Sequence, residues 1–123
     1  MLRHGKWLFV VLHLAVAGHA LAAEDERMDM EIDTLIAKVA ASDCVFIRNG
    51  KEHDAKAASK HLQMKRQRGK RYYDTTEQFI ERIASKSSWS GNEYRIRCQD
   101  GTPLSANAWF SAKLAALRAT GGD

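Results

Sequence analysis

The sequence predicts an α+β domain in which helices pack around a short antiparallel strand pair, in the order α-β-α-α-β-α. Three observations carry this. Cys44-Val45-Phe46-Ile47 and Tyr94-Arg95-Ile96-Arg97-Cys98 are short runs with β-branched or aromatic side chains, bounded by turn residues. Four other segments place apolar residues three and four apart, the period of a half-buried helix. Two strands alone are too few for an independent sheet, so the helices must cover them.

The elements follow in order. Residues 24–41 form an amphipathic helix, with Met28, Ile32, Leu35, Ile36 and Val39 on one face and Glu24, Asp25 and Glu26 in the first turn, where the helix dipole favours negative charge. Ser42-Asp43 breaks the pattern and the first strand follows, stopping at Arg48-Asn49-Gly50. A second helix is expected from about Glu52 to Arg68, ended by Gly69. Asp74 with Glu77 three residues on reads as a capping pair that opens a third helix over about 75–86, with Phe79, Ile80 and Ile83 on one face. Ser87 to Asn92 is a loop, and the second strand comes next. A last helix opens at Leu104 or Ser105 and runs to about Arg118, burying Trp109, Phe110, Leu114 and Leu117 before a frayed Thr120–Asp123 terminus.

The 123 residues are 45% hydrophobic and 28% charged, the composition of one globular domain. Two cysteines and one proline exclude a disulfide-dense scaffold and a proline-rich linker. The formal charge is +4, but Arg3 and Lys6 belong to the leader described next. The remaining balance makes no global case for nucleic acid, and none is expected as a partner.

Arg3 and Lys6 precede the apolar run Trp7–Ala17, and Ala20-Leu21-Ala22 supplies small residues for cleavage. This is the three-part pattern of a secretory signal peptide. It sets residues 1–22 as leader and 23–123 as a single exported domain. An uncleaved anchor is the alternative, but Trp7–Ala23 is short for a span and carries His13 and His19. The leader is of bacterial type, the expected address is the periplasm, and no membrane span remains after cleavage.

Export favours a disulfide between Cys44 and Cys98. Cys44 starts one strand and Cys98 ends the other, so an antiparallel register sets them face to face, with Phe46 opposite Ile96 and Arg48 opposite Tyr94. Closing a loop of roughly 55 residues stabilises by about 4 kcal/mol on the chain-entropy model. A catalytic thiol pair normally has closer spacing, as in C-x-x-C.

The segment Phe46–His53 is the most informative stretch. A strand ends, a glycine turn follows and a helix is expected to begin, and helix starts hold anions through free N–H groups. Arg48, Asn49, Lys51 and His53 add donors there; the plain alternative is that Asn49-Gly50 only makes the turn. Turned at 100° per residue, the second helix puts His61 inside its apolar arc and His53 at the border. A buried imidazole needs a hydrogen-bond partner, and a satisfied core histidine bonded to a backbone carbonyl or a loop serine is the plain reading. The histidines are eight residues apart, which matches no zinc signature, so no metal is assigned. No G-x-S-x-G accompanies Ser85, Ser87, Ser88 and Ser90, so no nucleophile is assigned either. No cofactor pattern is present.

Lys65-Arg66-Gln67-Arg68-Gly69-Lys70-Arg71-Tyr72-Tyr73 is strongly basic with adjacent aromatics. Cations at a helix C-terminus and a solvated loop account for it. An anionic lipid, lipopolysaccharide or an acidic envelope protein is the functional alternative in that compartment.

FIRNGKEH with the following alanines, His61-Leu62 and Lys65, then TEQFI and IASKSSWSGNEY with Ile96, resemble the YfeK-like family of small exported bacterial proteins. The resemblance spans nearly the whole mature domain and implies export, a single domain and no assigned catalytic or binding residue. Three functions are therefore carried forward. The first is a non-enzymatic periplasmic binding or interaction domain using Arg48, Asn49, His53, His61, Ser88 and Ser90, with a partner that is either an envelope protein or an anionic envelope ligand. The second is a small hydrolase or metal-dependent enzyme using His53 and His61. The third is a structural partner in an envelope complex, bound through the aromatic last helix.

Overall fold

The computed structural model describes residues 4–121, with side chains from Gly18 onward. The chain divides into two compact units, residues 1–30 and 31–123. The first contains the N-terminal part of helix α1 (His4–Ala41). Every residue from Gly18 to Arg27 is exposed and Met28 is half-buried. Arg3 and the side chains of Lys6 and Trp7–Ala17, on which the leader reading rests, lie outside the described residues, as do Gly122 and Asp123. Among the described residues no helix is long and apolar enough to cross a membrane.

The second unit is an α+β domain. Its sheet has four antiparallel strands in the order β2-β1-β3-β4: β1 (Val45–Arg48), β2 (Lys51–His53), β3 (Arg95–Arg97) and β4 (Leu104–Ser105). The expected strand pair is its centre, with Phe46 opposite Ile96. Cys44 and Cys98 flank that pair in the same register and are bridged, with Cα atoms 4.1 Å apart. Phe46 and Ile96 share the buried face, while Val45, Ile47, Glu52, Arg95 and Arg97 occupy the other. There Arg97 of β3 holds Glu52 of β2 across the one intervening strand, at 3.0 and 3.3 Å.

The sheet is wider than a pair because the chain turns back at Asn49-Gly50. Both residues have positive φ, 49° and 79°, the geometry of a two-residue type I′ hairpin. Residues 51–53 therefore pair with β1, setting His53 opposite Phe46 and Lys51 opposite Arg48. Helix α2 (Ala55–Arg68) starts after them, not at about Glu52. Its first turn is closed by Asp54, whose carboxylate accepts from Ala57 N at 2.7 Å. This corrects the expected anion site at that helix start: an acidic cap already occupies it, and His53 is a strand residue.

After Gly69 a 3₁₀ turn (Lys70–Tyr72) leads to helix α3 (Thr76–Phe79), capped by Thr75 rather than by the Asp74–Glu77 pair. The helix widens into a π turn over Ile80–Ala84, and Ser85 Oγ donates back to the Ile80 carbonyl. Helix α4 (Ala106–Ala119) is capped by Ser105. Ile32, Leu35, Ile36 and Val39 of α1 are buried, as are Leu62, Phe79, Ile83, Phe110, Leu114 and Leu117. Phe46 meets Trp109 edge-on at 6.2 Å. Trp109 and Phe110 thus belong to the core (7% and 2% exposed), and the last helix offers no aromatic docking face through them.

Candidate functional site

One end of the sheet's inner face opens into a cleft of about 820 Å³, within the range of small-molecule sites. Arg48 ends β1 on the face that carries Phe46, and Tyr94 precedes β3 on the face that carries Ile96. These two meet His61 and Lys65 from α2 at the cleft floor. Lys65 is buried; its ammonium donates to the Lys86 carbonyl at 2.6 Å and to the Tyr94 hydroxyl at 3.1 Å, and lies 4.6 Å from the Tyr94 ring centre.

The cleft wall is the loop from Ser87 to Asn92. Ser87 Oγ accepts from the backbone N–H groups of Trp89 and Ser90, both at 3.2 Å. The Asn49 side chain ties the hairpin turn to this loop, accepting from Ser90 Oγ at 2.8 Å and Asn92 Nδ2 at 3.2 Å. Trp89 stands at the rim fully exposed (100%) although its backbone is pinned.

The electrostatics of the cleft are one-sided. Arg48, Lys65, Arg68, Arg82 and Lys86 line it, and among the described residues no aspartate or glutamate does. Burial, and then the Arg48 charge, push the Lys65 ammonium down to about 8. Burial foremost, with Arg48, Lys65 and His53 adding repulsion, pushes His61 down to about 4, so its imidazole is neutral at pH 7. Burial raises the Tyr94 hydroxyl. Arg48 and His61 also line a small inner void of about 30 Å³, and among the described residues Arg48 Nε and His61 Nε2 are buried with no hydrogen-bond partner.

Of the residues singled out from sequence, Arg48, Asn49, His61 and Ser88 line the cleft together. Ser90 acts one step back through Asn49. His53 is outside the lining and sits against Arg48, its Nδ1 3.4 Å from the guanidinium; burial first, then Arg48, lowers its proton affinity. His53 and His61 therefore do not share the concavity. Among the described residues no group of three or more His, Cys, Asp or Glu is placed to hold a metal ion. Sequence reasoning missed Lys65 and Tyr94 as site residues. For Lys65 a signal existed: measured from His53 it falls at about 120°, inside the apolar arc of the helix, where a lysine is rarely buried unless its ammonium is paired.

Fold and cleft together define a small disulfide-bridged α+β domain with a cationic cleft. The chain belongs to the family of unknown function DUF5329, which it matches over residues 26–118. It is 34% identical over 85 residues to the uncharacterized protein YfeK of Salmonella typhimurium, covering 69% of this chain and 68% of that one. No solved structure matches it.

Proposed function

We propose that the chain is an exported, periplasmic protein that binds an anionic ligand in this cleft without transforming it. The observation that carries the reading is the pair Arg48 and Lys65, brought together in a cleft that no carboxylate lines among the described residues. A desolvated cation beside a second cation is costly, and proteins pair such charges unless a ligand supplies the counter-charge. Arg68, Arg82 and Lys86 extend the same sign around the mouth. The signal-peptide pattern of residues 1–22 and the Cys44–Cys98 bridge support export, since disulfides persist in oxidising compartments.

Binding is favoured over hydrolysis by what the two histidines do. His61 reaches the cleft and His53 does not, while the Ser87 hydroxyl is committed to the loop backbone. Among the described residues neither histidine is hydrogen-bonded to a serine hydroxyl, the contact a nucleophile–base pair needs.

The test begins with the full chain expressed with its own leader. The protein recovered from the periplasm is expected to lack residues 1–22 by intact mass. Its melting temperature is then measured with inorganic phosphate and with citrate against sodium chloride of matched ionic strength. Ligand at a hundredfold its Kd stabilises by about 2.7 kcal/mol, a shift of several degrees for a domain this size. The shift should vanish in Arg48→Ala. An equal response to chloride, or an undiminished shift in the variant, overturns the reading.

A further inference from the structure

We propose that the cleft docks the protein on an anionic phospholipid surface, with a phosphate headgroup entering toward Arg48 and Lys65 while Trp89, Tyr72 and Met64 rest at the boundary between headgroups and acyl chains. The inference rests on the reading of the cleft as an anion site and names the source of the anion.

Three side chains around the cleft carry the argument. Trp89 (100%), Tyr72 (54%) and Met64 (38%) are among the large apolar side chains exposed among the described residues, and all three line this cleft, whose charged lining residues are all cations. An exposed indole on a mobile loop would mean little. Here the loop is fixed by the Ser87 hydroxyl and by Asn49, so the ring is held out into solvent by an ordered backbone. Tryptophan and tyrosine favour the membrane–water interface, where an apolar ring and a polar edge are both satisfied. Lysine and arginine close to an anionic leaflet add attraction that salt screens. Arg68, Arg82 and Lys86 supply that charge beside the aromatic rim. A small soluble phosphate ester would engage the floor and leave the rim side chains unused.

The experiment uses protein recovered from the periplasm and sedimentation with vesicles of phosphatidylcholine alone or mixed with phosphatidylglycerol, alongside melting with glycerol 1-phosphate. Binding to the mixed vesicles is expected to exceed binding to phosphatidylcholine by about tenfold or more and to fall with salt. Trp89→Ala and Arg68→Glu, both exposed positions, should each lower it by about fivefold or more. The difference in fluorescence between wild type and Trp89→Ala should shift to the blue on binding. If glycerol 1-phosphate stabilises the protein but the two vesicle types bind equally, lipid docking is overturned and the anion site stands. If vesicle binding survives both substitutions, it uses another surface and the proposal is overturned. If neither vesicles nor soluble anions bind, both readings fall.

Discussion

Lys65 and His61 are held on opposite sides of neutrality by the same burial. The ammonium is pushed down to about 8 and the imidazole to about 4, from ordinary values of 10.5 and 6.5. Between each pair of values the unfolded chain binds a proton that the folded protein does not, so stability rises with pH across both windows. Each contribution is complete above the unfolded value and lost as pH falls through the folded one. Melting curves of the ligand-free protein should therefore show a rise from about pH 4 to 6.5 and a second rise from about pH 8 to 10.5. His61→Phe keeps a ring against Tyr94 and should flatten the acid rise alone; Lys65→Met should flatten the alkaline one. Anion affinity is expected to fall over that alkaline window, because the cation it needs is being lost while the free protein gains. A slope unchanged in His61→Phe would show that the imidazole is not held neutral.

At the scale of elements, the end of α2 meets the π turn through a glycine. A Cβ on Gly69 would lie 2.5 Å from Ile83 Cδ1 and 3.0 Å from the Lys65 carbonyl. The isoleucine methyl can rotate away, but the Lys65 carbonyl is held by Gly69 N–H itself, at 2.8 Å. Gly69→Ala should thus cost about 1–2 kcal/mol in denaturant unfolding and displace the helix turn that carries Lys65. The melting shift with phosphate should shrink with it; an unchanged shift would mean the last turn of α2 does not set the floor. Much of this arrangement was legible in the sequence. The four apolar helix faces, the Phe46–Ile96 register and the cysteine pair all follow from periodicity and spacing. Strand β2 was not legible by pattern, because Lys51-Glu52-His53 has no apolar residue and its pairing comes entirely from the backbone turn at Asn49-Gly50. Asn-Gly is itself a hairpin signal, and giving it that weight would have moved His53 off the helix. The cleft was half visible: Arg48, Asn49, His61 and Ser88 were named, but the partnership of Lys65 with Tyr94 depends on helix packing that no local pattern encodes.

Taken as a whole, the second unit is closed by an ion cluster that joins residues far apart in the chain. Arg118, near the end of α4, donates to both oxygens of Glu31 at 2.8 and 3.1 Å and to both of Glu77 at 2.9 and 3.1 Å. Glu31 is buried and also accepts from Thr76 Oγ1 at 2.7 Å. The Arg118 hydrogen bonds hold the Glu31 carboxyl below its ordinary value, more strongly than its burial raises it. This group therefore stabilises the fold above pH 4.5, and the contribution is lost as pH falls through its lowered folded value. Removing the guanidinium leaves a buried carboxylate with Thr76 alone, which costs more than an exposed pair would. Solvent reaches Arg118, which is 45% exposed, so the cost belongs at the lower end of the range for buried pairs. Arg118→Met should lower unfolding free energy by about 2 kcal/mol at pH 7, and the gap to wild type should close in acid, where Glu31 is protonated in both proteins. Glu77→Gln removes only the exposed half of the cluster and should cost about 0.5 kcal/mol. A gap that persists undiminished in acid would assign the loss to packing of the Arg118 stem along α4 instead of to the charge.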